Sequence, residues 1–86
     1  MIELVPNFQV ERVHLEGMLA RISVDEDYVY SNIYFDPERR GQSKIVARYD
    51  KEKKMIHIEK ITQEFGIEVT EKEAWITKSA LQEQLG

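Results

Sequence analysis

Between Tyr28 and Ile61 the chain alternates β-branched and aromatic residues with polar ones in three runs, 28–35, 43–50 and 55–61. The loop 36–41 and the charged turn 51–54 separate them. A period of two sends alternate side chains to opposite faces of a strand, and the Pro, Gly, Asp and Lys at the breaks suit tight connections. Three successive antiparallel strands satisfy this pattern, and the rest of the chain has to fold onto them.

Length limits what can be added. A chain of 86 residues is one small domain, and domains of this size bury only about 60–65% of their unfolded surface. Nearly every large apolar side chain is therefore needed for the core, which leaves little for a deep substrate cavity. An apolar fraction of 42% with 33% charged residues fits a folded globular protein. The absence of cysteine removes disulfides, thiolate nucleophiles and thiolate metal sites. The first residues, with Glu3 and Pro6 and no basic or long apolar run, do not read as a signal peptide, and no segment is long enough to cross a membrane. The expected location is the cytoplasm.

Strand register follows from loop parity, because a one-residue slip exchanges every side chain between faces. Pairing Asp50 with Met55 sets Tyr49 against Ile56, Ala47 against Ile58 and Arg48 against His57. Pairing Asp36 with Gln42 across a five-residue loop sets Ile33 against Ile45 and Val29 against Tyr49. These choices gather Val29, Ile33, Phe35, Ile45, Ala47, Tyr49, Ile56 and Ile58 on one dry face. Tyr28, Tyr30, Tyr34, Lys44, Arg48 and His57 then share the other.

The flanks are read as follows. Ile2, Leu4 and Val5 form a short edge strand ended by Pro6. Residues 8–24 admit a helix, with Leu15, Met18, Leu19 and Ile22 on one face, or two strands turning at Glu16-Gly17. The strands are favoured, because glycine costs a helix about 1 kcal/mol and supplies a turn with positive φ. Residues 61–65 form a helical turn stopped by Gly66. Thr70 and Glu73 have the spacing of a capping box that opens a C-terminal helix of about fifteen residues, running to Leu85. The predicted fold is thus α+β: a small single domain with an antiparallel sheet of four to five strands and one C-terminal helix packed on it.

The candidate surfaces are two. Tyr28, Tyr30 and Tyr34 beside Arg39, Arg40, Lys44, Arg48 and His57 resemble the aromatic and basic surfaces that stack bases and hold phosphates. Residues 37–54 carry seven basic against three acidic side chains, a local +4 within a chain of net −4, so the remainder carries −8. That acidic bulk weighs against nucleic acid, since phosphate binding is dominated by positive charge. Trp75, Ile76, Leu81 and Leu85 give the expected last helix apolar character on more than one side, which suits contact with another subunit.

Catalytic parts are missing. His14 and His57 lack a recognised metal spacing, and His57 with Glu59 on one strand face supplies too few ligands for zinc. No Gly-rich phosphate loop or nucleophile elbow occurs. The sequence therefore implies no enzyme, no cofactor, no metal and no small-molecule substrate. It points to a small interaction module acting through protein–protein contacts, the expected partners being further copies of itself or another protein. The alternative is a nucleic-acid-binding module using the tyrosine and basic residues.

Overall fold

A computed structural model of the chain describes residues 2–3, 9–36 and 41–86. The expected Leu4 and Val5 strand residues and the loop arginines Arg39 and Arg40 lie outside these, as does the side chain of Tyr34. The elements in order are β1 (Ile2–Glu3), β2 (Gln9–Val10), α1 (Arg12–Val24), β3 (Val29–Asp36), β4 (Gly41–Asp50), β5 (Met55–Glu64), β6 (Ile67–Ile76) and α2 (Lys78–Leu85). β1 and β2 form a short antiparallel ribbon, and the other four strands form an antiparallel meander in the order β3-β4-β5-β6. The α+β class and the antiparallel sheet agree with the sequence reading. Among the described residues there are two helices, one before the four-stranded sheet and one after it, where the sequence reading has only the C-terminal one.

α1 replaces the two strands expected over 8–24. Leu15, Met18, Leu19 and Ile22 are its buried residues, the i, i+3, i+4, i+7 stripe of an amphipathic helix. Burying that stripe outweighs the intrinsic penalty of Gly17, which here sits within the helix and makes no turn. Arg12 and Glu16 add an i, i+4 ion pair at 2.7 Å on the solvent side.

β4 and β5 pair in the expected register, with Asp50 opposite Met55 and Ala47 opposite Ile58. The turn between them is held by Asp50 Oδ1, which accepts from the Glu52 and Lys53 amides at 2.9 and 3.0 Å. Lys54 closes it at φ 56°. β3 is shifted by one residue from the expected register: Asp36 faces Gly41, and Tyr30, not Val29, shares the inner face with Ala47. Val29 and Ile33 consequently point to the outer face and are exposed. Tyr30 packs against the core, and Asn32 donates through its side-chain amide to His14 Nδ1 on α1. Tyrosine and asparagine can end in a hydrogen bond or in water, so this face accepts them where it meets the helix rim.

The C-terminal part departs furthest from expectation. The helical turn over 61–65 is instead the end of β5, and Phe65-Gly66 forms a two-residue hairpin turn with both φ values positive, 51° and 78°. Residues 70–76 continue β6, so Thr70 and Glu73 form no capping box. The cap is Thr77, whose hydroxyl accepts from the Ala80 amide at 3.1 Å to open α2. A β-bulge lies between these strands: Lys60 pairs with Lys72 and Ile61 with Thr70, leaving Glu71 as the extra residue, 3.8 Å from Lys60 Nζ. The bulge moves Ala74 and Ile76 onto the inner face, opposite Ile58 and Ile56.

Both helices cover that inner face. Leu15, Met18 and Ile22 of α1 and Leu81 of α2 are fully buried with Ile45, Ile56 and Ile58 of the sheet. Lys78 ties the end of this layer together, pairing with Glu26 at 2.7 Å and lying 4.2 Å from the ring centre of Tyr49.

A methyl group added at Gly17 meets Tyr30 Cε2 and the Tyr30 hydroxyl, each at 3.9 Å, an ordinary contact. Gly17→Ala is expected to raise stability by about 0.5–1 kcal/mol, read from the urea midpoint. A large loss would instead show that Gly17 needs a conformation alanine cannot adopt. Burial, and then the neighbouring Tyr28, raise the Tyr30 hydroxyl above its ordinary pKa. Above about pH 10 the unfolded chain releases this proton while the folded chain retains it. Stability is therefore expected to fall as pH rises through that value, and less steeply in Tyr30→Phe, as measured by urea titrations at a series of alkaline pH values.

Candidate functional site

With both helices on one side, the outer face of the sheet stays open, and the register fixes its rows. Val29, Arg48, His57 and Trp75 lie across the four strands in one row. Ser31, Val46, Glu59 and Glu73 form the next, and Ile33, Lys44, Ile61 and Thr70 the third. The face mixes apolar and charged groups, with Ile33 63% and Trp75 38% exposed.

One cluster on this face is built by β5 and β6 with the turn before β5. The His57 and Trp75 rings are cross-strand partners and stack, with centroids 4.2 Å apart and planes 18° from parallel. Lys53, from the β4–β5 turn, brings its ammonium to 4.0 Å from the Trp75 ring centre. Such a cation over the indole face is attracted by the ring quadrupole. His57 Nε2 lies 2.9 Å from Glu73 Oε2 and 4.0 Å from Glu59 Oε1. Glu59 and Glu73 face each other directly across the strands. One ligand-capable atom from each of these three side chains falls within 4.8 Å of the other two.

Further along the face, Lys44 pairs with Glu68 at 2.7 Å. Ile33, Lys44, Ile61 and Glu68 help line a shallow depression of about 130 Å³. At the tip of the β5–β6 hairpin Phe65 is fully exposed, followed by the exposed Ile67. A bulky apolar residue in a left-handed turn position is doubly unfavourable, since asparagine or glycine suits that φ and water excludes the ring.

The expected site residues are only partly assembled. Lys44, Arg48 and His57 share the outer face, as the sequence indicated. Tyr30 is on the opposite, helix-covered side, and Tyr28 lies beside Arg21 of α1, whose guanidinium is 5.7 Å from its ring centre. Tyr30 is thus not on the basic face, because the one-residue shift of β3 turns it inward. Ile76, Leu81 and Leu85 are buried within the domain. Of the four expected subunit-contact residues, Trp75 alone presents itself to solvent, from a strand rather than a helix. Glu73 and Trp75 were missed as partners of His57. Their alternation with the inward Ala74 and Ile76 is the signal that reveals them.

Comparison of the chain with family models, curated proteins and solved structures returned no match. Among the described residues, no helix is long and apolar enough to cross a membrane.

A double-mutant cycle on His57→Ala and Trp75→Ala is expected to give a coupling of about 0.5–1.5 kcal/mol in urea unfolding. Additive effects would show that the stacked rings do not act as a unit.

Proposed function

We propose that this chain is a small non-enzymatic interaction module acting through protein–protein contacts, with a second copy of itself as its first partner. The surface it uses is the open sheet face. One observation carries the reading: both helices pack on the same side of the sheet, leaving Val29, Ile33 and Trp75 in solvent on the other. A domain with so little interior gains by covering such a face.

The charges favour a like partner. Lys44 and Arg48 form a basic row on β4, beside the acidic Glu59 and Glu73 of β5 and β6. A two-fold axis between β4 and β5 sets the basic row of one copy over the acidic row of the other, as a self-complementary interface requires. The non-enzymatic part of the reading rests on the sequence, which has no Gly-rich phosphate loop, nucleophile elbow or cysteine. A cytoplasmic location belongs to the same proposal and suits a chain without cysteine.

Sedimentation velocity from low to high micromolar concentration tests it. The sedimentation coefficient is expected to rise with concentration, and Ile33→Glu, at an exposed position, is expected to abolish the rise while leaving the unfolding midpoint unchanged at a concentration where the parent chain is monomeric. A monomer throughout the range would overturn self-association.

A further inference from the structure

We propose that His57, Glu59 and Glu73 form a binding site for a borderline divalent cation of the zinc, cobalt and nickel class. The proposal stands on how the sheet builds the cluster and does not depend on what else the face binds. Three donors converge from two adjacent strands: Nε2 of His57, a carboxylate oxygen of Glu59 and one of Glu73, within 4.8 Å of one another. Zinc bonds of about 2.0–2.2 Å in tetrahedral geometry require donors about 3.3–3.5 Å apart. The observed His57 separations of 2.9 and 4.0 Å bracket that spacing, and the two carboxylate oxygens lie within 4.8 Å of each other, so the donors are near the distances a cation needs.

A second observation concerns charge. Glu59 and Glu73 occupy directly opposed cross-strand positions, where like charges repel. On this face the cations nearest in the register are Arg48, opposite His57, and Lys44, opposite Ile61, with Lys53 held over the Trp75 ring. Lys60 and Lys72, the adjacent cross-strand pair, belong by parity to the other face. Lys44 is engaged by Glu68. A dication between the carboxylates turns their repulsion into attraction, and with a neutral imidazole it leaves the site without net charge. One nitrogen and two oxygen donors suit zinc, cobalt or nickel better than copper(I), which takes sulfur, or calcium, which takes six or more oxygens. Trp75 stacked on the imidazole holds the ring plane, and its bulk shields one side of the site. The cation replaces the direct His57–Glu73 contact.

The same stacking supplies the assay, because Trp75 is the single tryptophan of the chain. Untagged protein, kept below the concentration at which it associates, is titrated with Ni²⁺ or Co²⁺, whose open d shells quench a nearby indole. Saturable quenching is expected, reversed by excess Zn²⁺. Glu59→Gln/Glu73→Gln is expected to weaken it by more than about tenfold, the least that losing even an outer partner of a metal site costs. His14→Asn, at the other histidine of the chain, is expected to leave it unchanged. No saturable quenching, or quenching that the double glutamine variant retains in full, would overturn the site. The glutamines keep side-chain shape, and a circular dichroism spectrum matching the parent chain confirms that the variant is folded.

Discussion

Everything in this domain depends on one layer of contacts, in which Leu15, Met18 and Ile22 of α1 and Leu81 of α2 meet Ile45, Ile56 and Ile58 of the sheet. The helices flank the meander in sequence, so the layer joins the segments before and after four strands that pair with their sequence neighbours. A meander is local and quick to form, yet its apolar face cannot remain in water. The helices supply the cover, and each requires the sheet in turn. At eight residues α2 is too short to persist alone, and α1 is marginal.

The centre of this arrangement was legible in the sequence, and its margins were not. The register of β4 on β5 is read correctly because Ile45, Ala47, Ile56 and Ile58 share one parity, Lys44, Arg48, His57 and Glu59 share the other, and the Asp50 turn sets the pairing. β3 is not so constrained. Its odd residues include Val29 and Ile33, its even ones Tyr30 and Asn32, and hydrophobicity alone selects the wrong set. The loop is one residue shorter than apolar matching suggests, and that difference sends the valine and isoleucine into solvent. The helix over Arg12–Val24 shows its stripe plainly. Only the weight placed on Gly17 hid it, since a penalty of about 1 kcal/mol is small against burial of four large side chains.

The outer-face cluster was half visible for a related reason. His57 and Glu59 lie two residues apart on a strand that the alternation identifies. Their partners lie on β6, where the extra Glu71 breaks the period of two and makes residues 70–76 resemble a helix start. A bulge conceals a strand from any reading based on strict alternation, because the residues before and after it obey opposite parities. Without β6, Glu73 and Trp75 had no place beside His57.

The bulge also bears on how the sheet ends. β6 is an edge strand, and an unbroken edge of ten residues would offer a ready template for another strand. At Glu71 the ladder is out of step, so an incoming strand cannot stay in register along its whole length. Growth by edge addition always leaves a fresh edge and so has no natural end, whereas a two-fold pairing of faces uses up the surface that made it. The irregularity in β6 thus interrupts continuous strand addition along that edge.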